Sequence, residues 1–328
     1  MLTFRRIAGA FGTCAALALA GVTGPTQSLA QDYPTKPVQM IVPFSQGGAT
    51  DQVARLMAQP LEAALGQPVI IVNQPGAGGA IGLANLAMAR ADGYFVAIGS
   101  DSTLGARPMM SETGYDLSSL TMIARLVEIP SGVAVRADSP YKTLAELVEA
   151  LKTERLTYSG SGIASGPHLA MAAFLAQQGV TATFVNSDSN QDGLVKLLSG
   201  EVQFLTGGGS NFPALFSESG ESDIRVLGLA AEERWPFMPD VPTYREQGFD
   251  YINSQWFGIV APAGVPPEVV AKLSSAVAEV VGSDAFKERM KEFFFNPAYL
   301  DSEDMLARVI ADSEAVRPVL MELGLLKK

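Results

Sequence analysis

The sequence predicts an α/β fold built in two halves, and three observations predict it. Short β-branched runs alternate with amphipathic stretches from Val38 almost to the C-terminus. The chain has 328 residues, a length that suggests about two domains. Finally, three loops rich in Gly or Ser each follow an expected strand and open an expected helix, the arrangement in which open α/β sheets place their ligand loops.

The elements follow in order. Residues 38–42 read as a buried strand and 50–65 as a helix with Val53, Leu56, Met57, Leu61 and Leu65 on one face; Pro60 predicts a kink or early stop inside it. A strand at 69–72, a helix at 80–90 and a strand at 95–99 complete β-α-β-α-β units, which imply a largely parallel sheet. Strand-like runs at 122–127 and 133–135 precede a helix at 144–152. A strand at 156–158, a helix at 167–178, a strand at 181–185 and a helix at 191–198 come next. Strands at 202–205, 226–229 and 256–260 are followed by helices at 267–281, 284–294 and 302–323, expected to return to the first half. Trp235 and Trp256 read as hinge or core packing, and Met57 and Met88 as core.

The first thirty residues stand apart. Arg5 and Arg6 precede an apolar run over 7–20, Gly24-Pro25 breaks it, and Ser28-Leu29-Ala30 supplies small residues for cleavage before Gln31. This is the pattern of a secretory signal peptide, and about fourteen apolar residues fall short of the ~20 that span a bilayer. A bare Arg pair is poor evidence for twin-arginine export, and Phe11-Gly12-Thr13 before Cys14 is a poor lipobox. Cleavage removes the single Cys and makes the chain more acidic than its formal −11. A thiol-free mature chain suits an oxidising compartment.

Composition excludes several chemistries. One His and one Cys cannot assemble a zinc site, an iron–sulfur cluster or a disulfide framework, so neither metal nor cofactor is expected. A net charge of −11 argues against nucleic acid as a partner. At 48% hydrophobic residues the chain is not disordered.

The three loops are Pro43 to Asp51, Asn73 to Gly82 and Ser159 to His168. The first amides of a helix have no internal acceptor, and the helix dipole places about half a positive charge there. Gly admits close approach of a ligand, so such loops are anion cradles. Each taken alone also fits a tight strand-to-helix connection. Nucleotide chemistry fares worse: the run Gly76 to Gly82 has one residue too many for GxGxxG, and no Gly-Lys-Ser/Thr exists. An enzyme acting on a small acid through Ser165, His168 and Asp51 is the rival reading, but no GxSxG elbow surrounds any Ser. Asp51, just inside a helix start, reads as a loop organiser.

These loops are part of an ordered set. Tyr33-Pro34-Thr35-Lys36-Pro37, the Pro-Phe-x-x-Gly-Gly-x-x-Asp loop and Asn73 to Gly79 come first. Asp92-Gly93-Tyr94, Pro239 to Thr243 with Glu246 and Gly248, Trp256-Phe257-Gly258 and Ala261 to Gly264 complete it. Over almost the whole mature chain the set resembles the tripartite tricarboxylate transporter receptor family, the Bug proteins. The resemblance implies a periplasmic solute-binding protein of the type II fold, two α/β lobes joined by two crossing strands. Lobe 1 would be 31–130 plus 254–328 and lobe 2 would be 131–253. It further implies a monomer that holds a small organic carboxylate between the lobes and delivers it to membrane permease subunits; a sensor for a signalling partner is the alternative. The positions matching the family's carboxylate site are Phe44, Ser45, Gly47, Gly48, Thr50 and Asp51, with Ala77 and Gly78. Ser100, Ser102 and Thr103 follow the third strand, and Ser161, Ser165 and His168 come from the second lobe. One departure stands out. Where the family has Pro-Tyr-Lys-Gly this chain has Asn186-Ser187-Asp188-Ser189-Asn190, and Gln203 replaces a common Asp. Asp188 and Asn190 therefore predict a ligand whose distal end is neutral, hydroxylated or cationic.

Overall fold

The computed structural model describes residues 33–212 and 222–327, so the expected leader and its cleavage site lie outside the described residues. Strand β1 (Val38–Val42) is flanked in parallel by β2 (Val69–Asn73) and β3 (Phe95–Ser100). Helices α1 (Ala49–Leu65) and α2 (Ala80–Ala87) connect them. Parallel strands linked through helices put all their carboxyl ends, and hence the loops after them, along one edge.

After β3 the chain makes a wide helical turn, Ser102–Ala106, that runs into the short α3 (Arg107–Met110). The long strand β4 (Leu120–Arg136) then joins two strand groups. Later in the chain come α4 (Leu144–Leu151), β5 (Thr157–Ser159), α5 (Gly166–Gln177), β6 (Thr183–Phe184), α6 (Asn190–Ser199), β7 (Phe204–Gly208) and β8 (Ile224–Leu229). Strand β9 (Ser254–Pro262), α7 (Pro267–Gly282), α8 (Asp284–Lys291), β10 (Asn296–Leu300) and α9 (Ser302–Glu322) complete the fold. Residues 120–130 of β4 pair antiparallel with β9, while 131–136 pair antiparallel with β7 and β8. The path through the sheet is β2-β1-β3-β9-β4-β7-β5-β6, with β8 and β10 also on β4. The sheet is therefore mixed: parallel triplets at its two ends and antiparallel strands between them.

Separate apolar clusters back the two groups. Leu83, Leu86, Met122, Trp256, Met305 and Val309 pack behind the first; Val133, Tyr158, Phe174, Phe204 and Tyr244 pack behind the second. Each such side chain fully buried contributes about 1.5–3 kcal/mol. Trp256 is fully buried and its Nε1 donates to Asp312 Oδ2 on α9 at 2.7 Å.

Several expectations need correction. Pro60 does not end α1, which continues to Leu65; the loss of one amide is outweighed by an apolar face that stays buried at Leu61 and Leu65. The runs expected at 122–127 and 133–135 are one strand, and Pro130 sits where it changes partners. Helix α3 and strand β10 were not expected. Met57 is core, but Met88 is 77% exposed.

Candidate functional site

The loop after β1 is fixed from behind by one carboxylate. Asp51 is 1% exposed. Its Oδ2 accepts the Gly47 amide at 2.9 Å and Arg55 Nε at 2.8 Å. Its Oδ1 accepts Asn73 Nδ2 at 2.9 Å and Arg55 Nη2 at 3.1 Å. Asn73, at the end of β2, also donates to the Phe44 carbonyl at 3.1 Å, so Asp51 ties the first loop to the second. Burial by itself would raise the Asp51 pKa; the bonds from Arg55, the Gly47 amide and Asn73 outweigh it and hold the carboxyl below the usual carboxylate range. With its side chain committed on the inside, the loop turns Ser45, Gly47 and Gly48 outward, and Thr50 is buried. Gly48 begins α1 with no side chain capping the helix amides.

The loop after β2 is a left-handed run. Gly76, Ala77, Gly78 and Gly79 have φ of 134°, 49°, 63° and 94°, backbone that L side chains rarely adopt. Helix α2 opens from Gly79, again without a side-chain cap, and the amides of Ala77 and Gly78 find no backbone acceptor among the described residues. The loop after β3 comes up beside this run. A Cβ on Gly79 would lie 2.9 Å from Thr103 Cγ2 and 3.2 Å from the Phe44 ring. One on Gly78 would lie 2.2 Å from Arg107 Nη2. The Thr103 hydroxyl is turned inward, accepting the Ser100 amide at 2.9 Å, and Tyr115 donates to the Thr103 carbonyl at 2.6 Å. Ser102 Oγ lies 3.1 Å from Ser100 Oγ and is half-buried. Ser100 and Thr103 thus shape the loop, while Ser102 stays partly open.

In the second group the expected residues are largely bonded to each other. Ser165 caps α5 by accepting the His168 amide at 3.4 Å and donates to the Gly162 carbonyl at 2.8 Å. The imidazole of His168 is 3% exposed, lies 4.0 Å from the Phe184 ring by centroids, and accepts the Ala164 amide on Nδ1 at 2.9 Å. Burial pushes its pKa down to about 4, so it is neutral. The Ser165 hydroxyl and the His168 imidazole bond to different partners, and no hydrogen bond joins the two side chains among the described residues. The imidazole's bond supports Ala164, whose φ of 58° lies in the left-handed region. Ser161 Oγ donates to Asn190 Oδ1 at 3.2 Å, and the Asn190 amide faces Gly207. Asp188 is exposed, and its amide donates to Asp192 Oδ2 at 3.2 Å.

Three residues that the sequence did not single out sit among these loops. Arg107 lies on Gly78. Asp101, between Ser100 and Ser102, would be 2.9 Å from a Cβ on Gly166, so it brings the loop after β3 to the start of α5. Burial and then the Asp312 charge push its carboxyl up to about 7, against the amides of Ser102 and Trp256 and the Arg308 charge. Gln255 of β9 lies against Gly166 and Gly208, and its Nε2 is a buried donor with no partner among the described residues. A separate cavity of about 230 Å³ between α5, α9 and 251–254 meets the expected residues only at Ser102. Among the described residues no three His, Cys, Asp or Glu form a metal-binding group.

The profile of the tripartite tricarboxylate transporter family receptors matches residues 53–325. A Cupriavidus necator protein, described as the UPF0065 protein in gbd 5'region, is 30% identical across 98% of this chain and 97% of its own length. Rpa4515 of R. palustris, solved with adipate, superposes with a TM-score of 0.78 at 30% identity, over 89% of this chain and 99% of that one. MatC of Rhodopseudomonas palustris, solved with malate, gives 0.74 at 28% identity, over 88% and 100%. The chain belongs to the tripartite tricarboxylate transporter receptor family of solute-binding proteins.

Proposed function

We propose that this receptor captures a small organic carboxylate between two lobes and delivers it to the permease subunits of a tripartite transporter. The observation that carries the reading is that α1 and α2 both open from adjacent parallel strands with no side chain capping their amides. The open α1 start behind exposed Gly48, and the amides of exposed Ala77 and Gly78 that find no backbone acceptor ahead of α2, favour an anion. The ligand-contacting groups would be Phe44, Ser45, Gly47, Gly48, Thr50, Ala77, Gly78 and Ser102 on one side, with Ser161, Asn190 and Asp188 opposite. Asp51, Ser100, Thr103, Ser165 and His168 would hold these in place. Binding of adipate and malate by the two neighbours supports a carboxylate as the ligand class.

In this reading lobe 1 is 31–130 with 254–328 and lobe 2 is 131–253, a division supported by the change of β4 partners after Pro130. The protein works as a monomer in the periplasm after removal of its leader, and no helix among the described residues is long and apolar enough to cross a membrane. Its role is capture without turnover. With Asp188 and Asp192 near the distal loop, the far end of the ligand is neutral, hydroxylated or cationic. Mass spectrometry of what co-purifies, followed by calorimetry with C4 to C6 mono- and dicarboxylates, tests this. An acid bound unchanged fits the reading; no acid bound, or an acid chemically converted, contradicts it.

A further inference from the structure

We propose that Arg107 is a specificity-determining residue of this site, a cation that pairs directly with the ligand carboxylate lying on the left-handed Gly76 to Gly79 run. The inference rests on the carboxylate reading above and deepens it: the anion is selected by a protein charge as well as by backbone amides.

The placement is specific. Arg107 follows Thr103 by one turn of the same helical segment, and the two side chains reach neighbouring glycines. The Thr103 methyl lies on Gly79, and the Arg107 guanidinium lies on Gly78 with Nη2, Cζ and Nε at 2.2, 2.5 and 2.9 Å from where a Cβ would be. Only glycine at 78 leaves room for it there. The segment is held by buried Thr103, whose carbonyl accepts the Tyr115 hydroxyl, so the guanidinium is presented from a fixed base.

The charge itself has no counterpart. Two other arginines near these loops are engaged: Arg55 by Asp51 at 2.8 Å and Arg308 by Asp312 at 2.8 Å. Arg107 is half-buried, yet no carboxylate lies within salt-bridge distance of it among the described residues, and its guanidinium donates no hydrogen bond there. A guanidinium carries five donors in a planar fork. Holding it partly out of water without an acceptor is unfavourable, whereas a carboxylate can accept two parallel bonds from it. The amides of Ala77 and Gly78, which have no backbone acceptor among the described residues, supply the remaining donors around the same position.

The test is calorimetric titration of wild type, Arg107→Gln and Arg107→Lys with malate, adipate and hexanoate, and with hexanamide as the uncharged control. Thermal melts of each ligand-free protein report its fold. We expect Arg107→Gln to keep its melting temperature and to bind the best of these acids about 10- to 100-fold more weakly, the range of a lost charge-assisted contact. Preference for acid over amide should shrink by the same factor, and Arg107→Lys should recover part of it. Acid affinity within twofold of wild type in Arg107→Gln, with preference over the amide intact, would overturn the role of Arg107 and leave the carboxylate reading standing. If Arg107→Gln fails to fold, Arg107→Lys decides: undiminished affinity overturns the role, because a lysine cannot offer the paired donors. No binding of any acid by wild type would overturn both.

Discussion

The helices that open toward the site differ between the two strand groups. In the first, α1 and α2 start at Gly48 and Gly79 with no side-chain cap. In the second, α5 and α6 start at Ser165 and Ser189, whose hydroxyls accept the amides of His168 and Asp192. Both groups look alike as sequence, a strand followed by small polar residues and a helix. Yet one leaves the α1 start and the Ala77 and Gly78 amides ahead of α2 without acceptors and fixes the first loop from behind through Asp51, while the other closes on itself through Ser161–Asn190, Ser165–Gly162 and His168–Ala164. A hydroxyl in a loop is thus no measure of the donors the loop can offer. An N-cap side chain removes one of the amides an anion would need.

The largest expected effect tests the open side. Gly48 has φ of −76°, and its only neighbour within 4 Å of a Cβ is the Ser45 carbonyl at 3.9 Å, so Gly48→Val should fold normally. It should nevertheless lower carboxylate affinity by about 100-fold or more by blocking approach to the α1 amides. Calorimetry with unchanged affinity would place the anion elsewhere. Asp51→Ala comes next. It removes the anchor of Gly47, Asn73 and Arg55 and should cost about 2 kcal/mol in urea unfolding, with weaker acid binding in parallel.

The closed side predicts stability changes instead. The pKa of His168 is lowered by burial to about 4 from its usual 6.5, so the unfolded chain takes up the proton first as pH falls. Its contribution is fully present above about 6.5 and is lost as pH falls toward 4, a span worth roughly 3 kcal/mol. Melts from pH 8 to 4 should show this loss in wild type and not in His168→Gln. The smallest effects belong to the caps: Ser165→Ala and Ser189→Ala should each cost about 1 kcal/mol and change acid affinity less than Gly48→Val does.

Much of the fold was legible because alternation of β-branched and amphipathic runs is a local signal. It placed the parallel strands and most helices to within a few residues. It failed where tertiary contacts decide. Asn296 to Leu300 carries little strand propensity, and β10 forms because β4 offers it an edge. Gly105 and Pro108 interrupt the helical pattern of 102–110, which hid α3 and with it Arg107. Gln255 and Asp101 were invisible for a different reason: their significance lies in meeting Gly166 from distant parts of the chain. The Gly-rich loops and the organising place of Asp51 could be read from residue type and spacing. The burial of His168 could not, since the Phe184 ring beside it comes from strand β6, beyond the end of its own helix.

In the proposed binding mode the open α1 start and the Ala77 and Gly78 amides ahead of α2 hold the ligand carboxylate. Amide chemical-shift mapping of isotopically labelled protein, titrated with whichever of malate, adipate or hexanoate gives the largest thermal shift, tests it most directly. The largest shifts are expected at Gly48 to Asp51 and at Ala77 and Gly78, with smaller changes at His168 and Asp192, whose amides are already capped. Largest shifts at 166–169 and 190–193, with 48–51 and 77–78 unmoved, would contradict it.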